Sequence, residues 1–142
     1  ESVAMSQYLV EKYGPTDIRV MPDEPDYPSY LNWLYHSDAT LTFPQTVVLR
    51  YKLQEPGVAD AAVEGYSRWF VSRCKLLETA LEDREYLCSN RFTIADICVS
   101  YAFVVAESLG IHQAFKPNIK RYTDMLFERD AFKKSKAFKF EE

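Results

Sequence analysis

The sequence predicts an all-α protein, one helical bundle, and three observations carry that reading. Apolar residues recur at intervals of three and four along most of the 142 residues, the period of helices with one buried face. Strand signals are missing: there is no period-two alternation, no Asn-Gly or Asp-Gly hairpin turn and no internal repeat. The third observation is a helix start at Thr93 that can be read residue by residue.

Taken in order, residues 1–13 read as a helix with Met5, Tyr8, Leu9 and Tyr13 on one side, ended by Gly14 and Pro15. Residues 14–28 hold four of the seven prolines (Pro15, Pro22, Pro25, Pro28) among acidic residues, the composition of a linker. A long helix follows, with Tyr30, Leu31, Leu34 and Leu41 facing inward. Pro44 is expected to kink or break it, since proline cannot donate to the helical ladder. Val47, Val48 and Tyr51 continue the pattern as far as Glu55-Pro56-Gly57. The next helix, over residues 58–81, places Ala62, Tyr66, Trp69, Phe70, Cys74, Leu77 and Leu81 on one stripe.

At Thr93 the hydroxyl is placed to accept from an amide of the first turn, and Asp96 can reach back to the Thr93 amide, a capping box in its Asp form. Phe92 and Ile97 are placed to pack together as a hydrophobic staple. Behind them run Cys98, Tyr101, Ala102, Val105 and Leu109, closed by Gly110. These spacings make Thr93 and Asp96 structural capping residues and not catalytic ones. A last helical region over residues 118–132 turns Ile119, Tyr122, Met125 and Leu126 inward.

Composition narrows the class. Hydrophobic residues at 47% and aromatics at 15% suit a globular chain of one domain. A net charge of −4 and a pI near 5.3 argue against a nucleic-acid partner. Arg129, Lys133, Lys134, Lys136 and Lys139 cluster late in the chain and read as solvated helix ends that complement the macrodipole. Cys74, Cys88 and Cys98 form no CxxC pair and no metal spacing, so they read as reduced, with Cys74 and Cys98 in the core; a cytoplasmic protein is expected. The most apolar run, residues 97–106, is too short to span a bilayer, and neither a signal peptide nor a membrane partner is expected. Position 1 is Glu and not Met, which leads us to expect further residues upstream.

No familiar catalytic constellation occurs. His36 and His112 lie in no metal motif, and there is no phosphate-binding glycine loop or nucleophile elbow. Glu78, Glu82 and Glu107 fall on faces expected to be solvated. Two places offer more. Glu1-Ser2 stands at a helix start, where free amides and a hydroxyl suit a carboxylate and the Glu1 carboxylate suits an ammonium. By itself a Ser there is ordinarily a cap. Tyr35, Asp38, Ala39 and Thr42 fall at i, i+3, i+4 and i+7 and share one helical face, which on the residues alone is a solvated face. Trp33 and Phe43 read as packing residues, and His36 lies beside the stripe as a polar contact at most.

The segment Leu87-Cys88-Ser89-Asn90-Arg91-Phe92-Thr93-Ile94-Ala95-Asp96-Ile97 resembles the signature of the C-terminal, all-helical domain of glutathione transferases. Residues 1–14 resemble the last helix of that family's thioredoxin-like domain, and residues 30–41 the first long helix of its C-terminal domain. A Gly is usual in the family where Ser89 stands, so a less tightly bent turn is expected there.

The resemblance implies a division into a thioredoxin-like helix (1–14), a linker (15–28) and a helical C-terminal domain (29–142). It implies conjugation or thiol transfer in which glutathione, as co-substrate, attacks a small hydrophobic electrophile, with no cofactor or metal. Glu1 and Ser2 become the ligands of the γ-glutamyl end of glutathione, and Tyr35, Asp38 and Thr42 candidates for the cleft or second-substrate site. The full-length protein is expected to be a homodimer. The family's thiolate-stabilising Ser, Tyr or Cys belongs to the part of the thioredoxin-like domain that this sequence does not contain, so the chain alone is expected to be inactive. The alternatives are a non-catalytic interaction module of the same fold, and a carrier that uses the apolar cleft without chemistry.

Overall fold

The computed structural model describes residues 1–137. Helix α1 (Ser2–Tyr13) leads through a 3-10 turn (Thr16–Ile18) into a long helical rod. The rod is built from α2 (Tyr27–Tyr35), a π-helical segment (His36–Thr42), α3 (Phe43–Leu49) and a second π-helical segment (Arg50–Gln54). Then come α4 (Asp60–Ala80), α5 (Ile94–Leu109), a 3-10 turn (Ile111–Ala114), α6 (Pro117–Phe127) and α7 (Asp130–Ala137). Among the described residues the only extended pairing is an isolated bridge between Cys88 and Arg91. The all-α architecture expected from the sequence is the one observed.

Helix α5 is the central element, packing against α1, α2, the first π segment, α3 and α6. Ten of its sixteen residues are buried, which explains why its apolar pattern is nearly continuous where a surface helix would show a stripe. Around it the core takes Leu34, Leu41 and Val48 from the rod, Phe70 and Leu77 from α4, and Ile119 and Tyr122 from α6. Removing any of these large side chains would cost about 2–5 kcal/mol in transfer and cavity terms.

The capping box at Thr93 is present. The Thr93 amide donates to Asp96 Oδ2 at 2.7 Å and its hydroxyl to the same oxygen at 3.0 Å, with the reciprocal half of the box also formed. Asp96 further accepts from the Leu87 amide at 3.1 Å and from the Tyr122 hydroxyl at 2.6 Å. Burial raises its pKa while these bonds oppose the rise. Gly110 closes the helix at φ 75°, the left-handed position where a side chain would be strained.

Several expectations are corrected. Pro44 does not break the rod: the Phe43 amide bonds Asp38 O five residues back, and the wider π turn leaves amide-less Pro44 in the first turn of α3. The covered face of α1 is Val3 and Val10, while Met5, Tyr8, Leu9 and Tyr13 are each more than half exposed. That helix carries two apolar stripes, and contact with α5 decides which one is covered. The last region is two helices that meet at Glu128 and Arg129, where the Phe127 and Phe132 rings stack at 4.2 Å.

Ser89 and Asn90 both sit at φ 51°, and the Arg91 amide bonds Cys88 O at 3.2 Å, so that turn is tight despite the missing glycine. Glu78 is not a solvated carboxylate. Its Oε1 and Oε2 accept from the amides of Asn118 (3.1 Å) and Ile119 (3.0 Å), closing the N-terminus of α6. Among the basic residues, Lys133 pairs with Glu128, Lys136 with Glu107, and Arg129 lies 3.6 Å over the Phe92 ring. Lys139 lies outside the described residues.

Candidate functional site

The start of α1, the first π segment and α5 enclose a cleft of about 380 Å³. Ser2, Val3 and Ser6 form one wall, and Ser37, Asp38 and Thr42 the second. Ile97, Cys98 and Tyr101 of α5 make the third. The π segment shapes the second wall. Ser37 Oγ donates to Leu34 O at 2.6 Å and Thr42 Oγ1 to Ser37 O at 2.7 Å, so both hydroxyls satisfy carbonyls of the altered ladder. Asp38 is left exposed, the one charged side chain lining the cleft among the described residues.

At the first wall Glu1 is the N-cap residue of α1 without a side-chain capping bond, and its carbonyl accepts from the Met5 amide at 3.1 Å. Ser6 Oγ donates to Ser2 O at 2.9 Å. Ser2 is itself exposed, so the cleft is lined at this end by the first turn of α1, whose leading amides have no partner within the helix, and by a residue with a hydroxyl. A carboxylate is suited to this end and an ammonium to Asp38 across the cleft.

The candidate residues are therefore divided. Ser2, Asp38 and Thr42 line one cleft, whereas Glu1 stands exposed beside it and Tyr35, 61% exposed, lies off it. Ala39 faces a different cavity of about 350 Å³ with His36, Trp69 and Arg73. The wider π turn is the reason, because i, i+3, i+4, i+7 spacing shares a face only on a regular α-helix. His36 is no base for the first cleft: burial, then Arg73, lowers its pKa, and its buried Nε2 has no partner among the described residues. Trp33 is buried, with the His36 ring edge-on at 5.4 Å. Phe43, expected to pack, is half exposed against Tyr66 and Trp69.

Ser6, Ser37, Ile97, Cys98 and Tyr101 also line the cleft and were not recognisable as lining residues from sequence. Tyr101 belongs by spacing to the core stripe of α5, yet is 56% exposed. Burial pushes the Cys98 thiol up to about 11, against an opposing hydrogen bond with Ser6, so it stays largely protonated near neutrality and is a poor nucleophile. Phe92 and Ile97 together border a second, smaller cavity of about 210 Å³ beside Arg129, with Ile97 41% exposed. Among the described residues no group of three His, Cys, Asp or Glu could hold a metal ion, and no helix is long and apolar enough to cross a membrane.

Residues 51–138 match the family model for the glutathione S-transferase C-terminal domain. The chain is 27% identical over 125 residues to glutathione S-transferase D7 of Drosophila melanogaster, covering 86% of this chain and 54% of that one. It is 34% identical over 101 residues to glutathione S-transferase 2 of Schizosaccharomyces pombe, covering 68% of this chain and 43% of that one. The chain thus spans about half the length of the curated relatives it matches.

Among solved structures, glutathione transferase Ure2p6 of Phanerochaete chrysosporium in complex with oxidised glutathione superposes with a TM-score of 0.84 at 26% identity, over 96% of this chain and 64% of that one. Ure2p5 of the same fungus, crystallised with 1-(S-glutathionyl)-2,4-dinitrobenzene, shares the fold with a TM-score of 0.84 at 24% identity, over 96% and 66% of the two chains. The helical bundle, the capped helix α5 and the family match agree, and the chain belongs to the glutathione S-transferase family through its C-terminal domain.

Proposed function

We propose that this chain supplies part of the glutathione site and the electrophile pocket of a transferase that conjugates glutathione to small hydrophobic electrophiles. The observation that carries the reading is the meeting of Ser2 with Asp38 and Thr42 on one cleft. A γ-glutamyl group carries a carboxylate and an ammonium on one carbon. The α1 amides with the Ser2 hydroxyl suit the first, and Asp38 suits the second. Ile97 and Tyr101 supply apolar surface beside them for the second substrate. Glu1 remains a candidate for the ammonium, and Tyr35 for the outer rim.

In this account the thiolate carbon–sulfur bond forms as the electrophile loses its leaving group. The residues here bind and orient the tripeptide but do not ionise its thiol. Cys98 stays largely protonated, and His36 faces the other cavity. The described chain alone is therefore expected to show no turnover of glutathione with 1-chloro-2,4-dinitrobenzene, whereas the full-length protein turns it over. Activity in the isolated chain, free of contaminating transferase, would place the thiolate-stabilising group here. No activity and no glutathione binding in the full-length protein would favour a non-catalytic interaction module. We further propose a cytoplasmic, homodimeric full-length protein, checked by fractionation and by sedimentation.

A further inference from the structure

We infer that Arg91 is a positioning residue that sets where α1 stands against the bundle, and so sets the width of the cleft between Ser2 and Asp38. Its consequence for glutathione rests on the function proposed above. Arg91 is three residues ahead of α5, in the tight turn fixed by the Thr93–Asp96 cap. Its guanidinium is filled by one segment. Nε donates to Asp17 O at 2.9 Å, Nη2 to Arg19 O at 2.7 Å, and Nη1 and Nη2 to the two Glu24 carboxylate oxygens at 2.7 Å each. The same carboxylate accepts from the Met21 amide at 2.8 Å. Asp26 adds a second tie, accepting from the Ser89 amide at 2.7 Å. What composition marks as a linker is thus clasped to the start of α5.

Against the other described residues, helix α1 buries only Val3 and Val10 of its twelve side chains. A contact of two side chains leaves a shallow energy minimum for tilt of α1 against the bundle, and the tie at its C-terminal end narrows the angle. At about 1.5 Å rise per residue, Ser2 lies roughly 16 Å from Tyr13, so a tilt of about 10° there moves Ser2 by about 3 Å. That is the difference between a hydrogen bond and none. A lysine cannot repeat the clasp, because it has neither the bidentate fork for Glu24 nor the second edge for the two carbonyls.

The test pairs a geometric readout with a binding one in the full-length protein. Nitroxide labels at Ala4→Cys and Ser108→Cys, both exposed among the described residues, report the distance from α1 to α5 by pulsed electron resonance. Arg91→Ala and the milder Arg91→Lys should each broaden that distribution at a temperature where circular dichroism is native. An unchanged distribution in both variants would overturn the inference. Glutathione affinity in Arg91→Ala should fall about tenfold, the worth of one positioned charge-assisted contact, with Glu78→Ala, which loses its contacts to the start of α6, as the control that loses stability by another route. A broadened distribution with unchanged affinity, while Ser2→Ala does weaken binding, would also overturn it, since the cleft would then not depend on the clasp. If Ser2→Ala has no effect, the glutathione reading fails, and the distance measurement still decides where Arg91 stands.

Discussion

The hydroxyl of Tyr122 donates to Asp96 at 2.6 Å across 26 residues of sequence, both groups fully buried. One carboxylate therefore starts α5 and pins α6 to it. The helix cap and the tertiary fold are held by the same two oxygens, which also accept from Leu87 and Thr93.

Tyr122→Phe should cost about 1.5–3 kcal/mol, the range for a hydrogen bond to a charged group. Thr93→Ala should cost about 0.5–2 kcal/mol as a lost cap. Asp96→Asn should be worse than Thr93→Ala, because an amide nitrogen cannot accept and at least one buried donor is left unpaired. Urea denaturation of the three variants checks the order. An Asp96→Asn protein as stable as wild type would remove the pin.

Glu78→Ala should lower stability by about 0.5–2 kcal/mol, although the side chain is a surface carboxylate by its sequence position. It accepts from both leading amides of α6, which begins with Pro117 and has no side-chain cap on that helix itself. Glu78→Gln, keeping one acceptor, should lose less. Equal midpoints for all three proteins in denaturation would show the contact to be idle.

The clasp has a pH signature. The Arg91 guanidinium, then the Met21 amide, holds the Glu24 carboxyl down to about 2 from its ordinary 4.5. Because the folded value is the lower one, the contribution is complete above the unfolded value and drains away as pH falls toward the folded one. The stability gap between wild type and Glu24→Gln should be constant at neutral pH, shrink below about pH 4.5 and close near pH 2. A gap that does not move across that window would mean the ion pair is not formed in solution.

Much of the fold was legible in the sequence, and particular residues show why. Thr93 and Asp96 carry their meaning locally, since a capping box is four residues of backbone and two side chains. Phe70, Cys74 and Leu77 on α4 obey a helical period and are buried where it puts them. The α1 face was illegible, because Val3/Val10 and Met5/Leu9 are equally apolar and only the tertiary contact with α5 chooses between them. The site was half legible for a different reason. Ser2, Asp38 and Thr42 were named, but the π segment that turns Ala39 away has no signature in residue spacing. Tyr101 and Ile97 were hidden by an apolar pattern that marks core and cleft alike.

Native thiol chemistry offers an independent check on the cleft. Burial pushes Cys74 and Cys88 up to about 12 and Cys98 to about 11. All three should react slowly with a maleimide at neutral pH, and Cys98, the one that lines the cleft, should react first. Peptide mapping after partial labelling reads the order. Cys74 labelling ahead of Cys98 would mean that the cleft is closed in solution.

Everything proposed for the cleft depends on the start of α1 holding the amino-acid end of glutathione. Calorimetric titration of glutathione into the full-length protein and its Ser2→Ala variant tests it most directly, with Asp38→Ala alongside. Losing the Ser2 contact should weaken affinity by about ten- to hundredfold, the scale of a charge-assisted hydrogen bond, and losing the Asp38 carboxylate should weaken it as well. Affinity in Ser2→Ala equal to that of the unmodified protein would contradict the claim.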